Sequence, residues 1–485
     1  MINSILNTKI LYRTALLLAL AISSSANAQE KRAADIYDAS KEYQYPTDPL
    51  VMQKLEKWQD LKFGIMMHFG LYSVEGIRES WLLCNEPRFV RDSTIAYEEY
   101  KKWYWGLADK FNPTKFDPDK WADISQKAGA KYVVFTTKHH DGFSMFDTKE
   151  SDYKVTNSPF GKNPKSDITK EVFDAYRKKG FWIGAYFSKP DWHSEYFWWP
   201  RYATADRNVN YDGNKNPWRW QKFKDFTFNQ VKELMNNYGK VDILWFDGGW
   251  VRPLDPNKAR PEGLSIFPNF SQDVDMPKIA AMARKAQPGL LVVDRTVHGP
   301  YENYRTPEQA IPKEQIKQPW ETCMTLGKGW GYRKNDKMKS ATKIIHILTE
   351  VVAKGGSFLL NVGPTNLGEF PEEANQILAT IGIWMKQNGA AIYNTKIVDD
   401  YNDGTTWFTQ SKDGKTTYAI ACVKEGETIP TSLQWKGNIP AKGGKIISIA
   451  TGKPIKWKQE GDMVTIDLPK ELIGKQTEAL AFAIK

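Results

Sequence analysis

The sequence predicts an α/β fold: a TIM-like (β/α) barrel, irregular or incompletely closed, followed by a small antiparallel β-sandwich. Three observations carry this. Between about Leu61 and Pro364 short apolar runs alternate with amphipathic segments. Strands that read as continuous β-branched and aromatic runs are buried on both faces, which makes the sheet parallel. From about residue 395 onward the apolar period changes to two, the mark of half-buried antiparallel strands.

The barrel elements follow in order. Strands are expected at Lys62–His68, Lys131–Thr137, Phe181–Phe187, Val241–Phe246 and Leu290–Val293, then a shorter one near Trp320, and Ser357–Val362. Helical patterns lie between them at Trp121–Lys127, Ile168–Lys179, Phe223–Tyr238, Pro277–Ala286 and Ala341–Ala353, several ending in glycine as helix C-termini do. Seven strands are evident and an eighth is not, which is why closure is expected to be irregular. A doubly wound open sheet would show a glycine-rich phosphate turn after its first strand. Here that turn reads His68-Phe69-Gly70-Leu71-Tyr72, so the barrel is preferred. After a last helical pattern at Pro371–Gln387, period-two runs separated by Asp403-Gly404, Asp413-Gly414 and Gly461-Asp462 form the β domain. The expected division is a leader at 1–28, a barrel at 29–394 and the β domain at 395–485.

The leader has its own signature. Lys9 and Arg13 precede the apolar run Thr14–Ile22, and Ala26-Asn27-Ala28 closes it. This is the pattern of a secretory signal peptide cut after Ala28, implying export to the periplasm or beyond the cell. The run falls well short of the ~20 residues a membrane span needs. Cys84, Cys323 and Cys422 are scattered and odd in number, so neither a disulfide framework nor a cysteine metal cluster is expected. The formal charge of +10 comes from basic residues interspersed with acids, without the Lys/Arg run of a phosphate-binding arm. Nucleic acid is therefore not an expected partner. Nineteen tryptophans fit a large core and also the stacking of aromatic faces on sugars.

Active residues of such barrels sit at the C-terminal ends of several strands. All seven predicted strands end in polar residues: His68; His139-His140-Asp141; Tyr186 with Asp191; Asp247; Asp294-Arg295; Glu321; and Asn361. Adjacent His139 and His140 are expected to point to opposite sides, unlike the i, i+4 pair of a zinc helix, so no metal is assigned. No Gly-x-Ser-x-Gly elbow appears, which disfavours a serine triad. Two carboxyl groups at the strand ends suit glycoside hydrolysis. Asp247 follows a buried apolar strand between Trp245 and Trp250; an aspartate capping the next helix is the alternative reading.

Taken together, the segments Phe63-Gly-Ile-Met-Met-His68-Phe-Gly, Thr137-Lys-His139-His140-Asp-Gly-Phe143 and Trp245-Phe-Asp247-Gly-Gly resemble glycoside hydrolase family 29, the α-L-fucosidases. The resemblance implies a retaining, exo-acting enzyme that releases L-fucose from fucosylated glycans by double displacement, without a cofactor. It implies Asp247 as nucleophile, and His68, His139, His140, Tyr186, Trp245 and Arg295 as residues lining the fucose pocket. Glu308, in Thr306-Pro307-Glu308, matches the family's acid/base segment. Glu302 is the rival, and Glu321 is read as structural. Trp81 is expected to line the pocket although Ser80 separates it from Glu79, where relatives have Glu and Trp adjacent. Trp330 matches an aromatic near the sugar's methyl group. A catalytically inactive fucose-binding protein, or a retaining glycosidase for another deoxy or galacto-configured sugar, are the alternatives.

Overall fold

The computed structural model describes residues 43–86, 89–92, 94–204, 206–254 and 270–485. The leader and its cleavage point fall outside them. Seven parallel strands form the first sheet: β1 (Phe63–Met67), β2 (Tyr132–Lys138), β3 (Trp182–Ser188), β4 (Ile243–Asp247), β5 (Leu291–Asp294), β6 (Glu321–Thr325) and β7 (Ser357–Val362). Their order is β5-β4-β3-β2-β1-β7-β6, so β5 and β6 are the sheet's two edges.

The segment 301–309 lies between those two edges. It leaves β5 by a tight return, with Asp294 N–H donating to Tyr301 O and Asn303 N–H to Val292 O at 2.8 and 2.9 Å. It then turns and runs beside β6, where Glu321 N–H donates to Arg305 O and Cys323 N–H to Pro307 O. Antiparallel on one side and parallel on the other, it makes isolated bridges rather than a ladder. This is the irregular closure expected where no eighth strand could be read.

Side chains of a strand alternate between its two faces, and the packing shows which is which. Met66, Tyr132, Val134, Tyr186, Ile243, Trp245, Leu291, Val293, Cys323 and Leu359 form one buried cluster, the barrel interior. The intervening residues, such as Val133, Phe187, Leu244, Phe246 and Val292, join the larger cluster under the helices. Gly64 is required by this interior, because a Cβ there would lie 2.5 Å from the Tyr132 ring. The helix Pro49–Leu61 plugs the N-terminal end of the barrel. Its Trp58 stacks on Tyr304 at 3.9 Å between ring centroids and meets Tyr132 edge-on. Helices Pro118–Lys127, Ile168–Lys178, Pro217–Asn237, Met276–Ala286 and Ala341–Ala353 cover the outside. The third begins six residues before the expected Phe223, started by Pro217 at its first position.

From Thr395 the chain forms nine antiparallel strands in one sheet. That sheet folds over on itself: Trp435 of the edge strand Ser432–Lys436 packs against Phe408 and Phe482, which belong to strands far along the sheet order. The sandwich is thus one bent sheet around a single apolar core. It docks on the barrel helices through Trp384 Nε1, which donates to Ala479 O at 2.9 Å. No helix among the described residues is long and apolar enough to cross a membrane.

Candidate active site

The inward parity of the strands carries through to their C-terminal ends. Two residues beyond Met66 is His68, two beyond Trp245 is Asp247, two beyond Val293 is Arg295 and two beyond Leu359 is Asn361. The structure gathers these at one rim, together with His139, His140, Tyr186, Trp330 and Glu308.

Asp247 sits at the centre. Its Oδ2 accepts from the Tyr186 hydroxyl at 2.8 Å and its Oδ1 from Gly248 N–H at 2.8 Å. Arg295 reaches Oδ1 at 3.1 Å with one nitrogen and holds Glu308 Oε2 with the other. The two carboxylates therefore share one guanidinium, which also lies over the Trp245 ring. Burial alone would raise the Asp247 carboxyl, but Arg295 and the hydrogen bonds from Tyr186 and Gly248 outweigh it and hold Asp247 well below the usual carboxylate range. The Asp247 side chain is 16 % exposed and that of Glu308 36 %.

Three histidines surround this pair. Asn361 donates through Nδ2 to Trp330 O, so its Oδ1 accepts from His68 Nδ1–H at 2.7 Å. Ser188 donates to Pro190 O, so its oxygen accepts from His140 Nδ1–H at 2.8 Å. Both networks leave Nε2 as an acceptor. That of His140 is buried, lacks a hydrogen-bond partner and lies 3.7 Å from Asp247 Oδ2. His139 Nδ1 is 2.5 Å from Ser80 Oγ, which also accepts Asp141 N–H. Burial lowers all three imidazoles, His68 and His140 to about 4 and His139 further. They are neutral at any ordinary working pH. Adjacent His139 and His140 do not point to opposite sides as strand alternation predicts: their rings lie 4.3 Å apart on the same rim. The pairing register shifts between Thr136 and Lys138 and β2 ends there, so alternation no longer applies.

Aromatic walls enclose the polar floor. Trp330 lies 5.0 Å from the His68 ring, and Tyr186 stacks on Trp245 at 5.4 Å. Trp81 lies 5.0 Å from the His140 ring and is flanked by Trp250 and Trp192. Glu79, one residue before the intervening Ser80, is buried and accepts Gly331 N–H at 2.9 Å, which ties down the loop carrying Trp330. The remaining glutamates lie elsewhere. Glu302 is buried against His298 Nδ1 at 2.8 Å. Glu321 does not end the sixth strand as expected but begins β6, and it lies inside the barrel, accepting from Tyr132 OH at 2.6 Å and Trp245 Nε1 at 3.2 Å. Among the described residues no group of three His, Cys, Asp or Glu side chains is arranged to hold a metal.

Ser80 and Ser188 were not singled out from the sequence, although each fixes a histidine ring. Ser188 had a usable signal, since it follows Tyr186 by two on the inward face of β3. Ser80 had only its place between Glu79 and Trp81.

A parallel barrel that gathers paired carboxylates, neutral imidazoles and aromatic walls at its C-terminal rim has the form of a glycoside hydrolase. Comparison with known proteins makes the assignment specific. The family model described as Alpha-L-fucosidase matches residues 31–390, and the chain belongs to that family. It is 30 % identical over 440 residues to the tissue α-L-fucosidase of Macaca fascicularis, covering 86 % of this chain and 85 % of that one. Among solved structures it resembles α-L-fucosidase isoenzyme 1 of Paenibacillus thiaminolyticus, with TM-score 0.71, 28 % identity and coverage of 90 % and 99 %. It also resembles the Thermotoga maritima α-fucosidase solved in complex with a mechanism-based inhibitor, with TM-score 0.70, 27 % identity and coverage of 91 % and 100 %.

Proposed function

We propose that this protein is an exo-acting, retaining α-L-fucosidase in which Asp247 is the nucleophile and Glu308 the acid/base. The single observation that carries the assignment of roles is the Arg295 guanidinium shared by the two carboxylates. A shared guanidinium keeps them close, as suits the ~5–5.5 Å spacing of retaining enzymes rather than the wider gap that admits a water. Asp247 is held ionised, as a nucleophile must be.

In the first step an Asp247 oxygen bonds to the anomeric carbon as the glycosidic C–O bond breaks. The Glu308 proton passes to the departing oxygen. In the second step water adds to the anomeric carbon and gives its proton to Glu308. The ester bond to Asp247 breaks and fucose leaves. The Nε2 atoms of His68 and His140 accept from sugar hydroxyl groups. The unpartnered His140 Nε2 beside the carboxylate is satisfied when a hydroxyl enters between them. Trp330, Trp81, Tyr186 and Trp245 supply the apolar surface that a 6-deoxy sugar requires.

A panel of nitrophenyl glycosides tests the reading. Hydrolysis of the α-L-fucoside with initial release of α-fucose supports it. Binding of fucose without turnover, or preference for an α-galactoside, replaces it with one of the alternatives. We further infer from the leader pattern at residues 1–28 that the mature chain is exported. N-terminal sequencing of periplasmic or secreted protein should begin just after Ala28.

A further inference from the structure

Behind Asp247, on the outer face of the barrel, two buried charges meet. Lys189 Nζ lies 2.5 Å from Asp294 Oδ1, and the two side chains are 0 % and 3 % exposed. Lys189 follows the last residue of β3, and Asp294 is the last residue of β5. Both strands flank β4, which carries Asp247 at its end. Alternation puts Asp247 and Arg295 on the inner face and Lys189 and Asp294 on the outer one. The ion pair is thus a strap across the end of β4, on the side away from substrate.

The backbone around the strap explains what it can control. Lys189 N–H donates to Asp247 O at 2.9 Å, and Arg295 N–H donates to Phe246 O at 3.3 Å. A Cβ on Gly248 would clash with Pro190, and one on Gly249 with Thr296 Oγ1 and Arg295 O. The Asp247-Gly248-Gly249 turn is therefore sandwiched between the turn that follows β3 and the turn that follows β5. The strap joins those two turns. Its Lys189 end also adjoins Ser188, which orients His140, and its Asp294 end adjoins Arg295, which grips both carboxylates.

Burying two charges is costly, and a pair like this is often replaceable by apolar residues without loss of stability. Stability alone therefore does not call for the charges. Resting on the reading of Asp247 as nucleophile, we propose that Lys189 and Asp294 are positioning residues that set the distance from Asp247 to Arg295 and His140. The charged groups nearby are Arg252 and Asp247 beside Lys189, and Arg252 and Glu302 beside Asp294.

The test uses covalent labelling of the full-length enzyme with 2-deoxy-2-fluoro-L-fucosyl fluoride, monitored by mass spectrometry, alongside steady-state kinetics and thermal melts. The apolar double variant Lys189→Met/Asp294→Leu should label about 10- to 100-fold more slowly than wild type. Its kcat should fall in parallel, with KM changed less than threefold. Lys189→Arg, which keeps the pair, should stay within about threefold of wild type. The control is Lys54→Met/Asp242→Leu, which removes a second salt bridge at the opposite end of the barrel and should leave the labelling rate unchanged. A folded double variant that labels at the wild-type rate overturns the proposal. So does Lys189→Arg falling as far as a folded Lys189→Met. If the double variant does not fold, Asp294→Glu decides: a one-methylene mismatch should slow labelling, and an unchanged rate overturns the strap. Peptide mapping keeps the two readings apart, because label on a residue other than Asp247 refutes the nucleophile assignment whatever the rates.

Discussion

Arg295 lies 3.1 Å from Asp247 through one nitrogen while its other nitrogen holds Glu308. The carboxylate of Asp247 owes its ionised state first to this cation and then to the hydrogen bonds from Tyr186 and Gly248, since burial opposes it. In the wild type the acid limb of kcat/KM should therefore be set by a group other than Asp247. Replacing Arg295 by Met leaves a buried carboxyl with no guanidinium, and its pKa must rise. The acid limb should move to higher pH by at least one unit, measured as kcat/KM on an aryl fucoside. A limb that stays in place would show that Asp247 still titrates below the group that sets it, held down by Tyr186 and Gly248 without Arg295.

Removing the proposed nucleophile leaves a space on one face of the anomeric carbon. Asp247→Ala should lose more than about 1,000-fold in turnover, and azide should restore part of it by attacking from the vacated side. A variant within tenfold of wild type would mean that another group attacks.

The three glutamates should separate by leaving group. A nitrophenolate hardly needs protonation to depart, whereas a sugar does. Glu308→Ala should damage cleavage of a natural fucoside far more than the first step on an aryl fucoside, where a burst precedes slow turnover. Glu302 faces His298, so Glu302→Ala should give a milder loss that is equal on both substrates. The opposite pattern would transfer the acid/base role to Glu302.

Glu321 offers a stability test. Burial pushes its carboxyl up to about 8 despite the hydrogen bonds from Tyr132 and Trp245. A raised carboxyl stabilises the fold fully below its unfolded value of ~4.3, and that stabilisation drains away as pH rises to about 8. Glu321→Gln does not titrate. Relative to wild type its Tm should therefore improve steadily between pH 5 and 8, and level off above. A difference that is flat with pH would exclude titration of Glu321 in that window.

The site histidines act at the acid end. Their folded values are depressed, two of them to about 4, while an unfolded histidine titrates near ~6.5. Below ~6.5 the unfolded chain takes up protons that the folded chain refuses, so stability must fall as pH drops. Each histidine contributes up to ~1.4 kcal/mol per pH unit in that interval. Denaturant titrations between pH 7 and 4.5 should show this slope, and His139→Gln should reduce it.

Much of the fold was legible because burial on both faces writes a parallel strand as an unbroken apolar run. Six of the seven strands of the first sheet lie where such runs stand; the sixth, Glu321–Thr325, starts at the residue expected to end it and carries no apolar run. The segment 301–309 was not legible as an eighth strand, because it forms single bridges and needs no apolar periodicity. Strand parity also placed much of the site: His68, Asp247, Arg295 and Asn361 each lie two residues beyond an inward core residue. His139 and His140 escaped that rule because the register breaks at Lys138. The choice between Glu302 and Glu308 turned on the path of an irregular loop, which depends on contacts with β5 and β6 that local sequence does not encode.

The docking of Trp58 on Tyr304 and Tyr132 bears on how the chain reaches this structure. The plug helix is synthesised before every strand of the barrel, yet one of its partners is a tyrosine in the segment that closes the barrel. Its apolar face cannot be fully covered until most of the chain has emerged, and contacts between distant parts of a sequence make for slow folding. A helix made before the whole barrel is in this sense among the last parts to find its place.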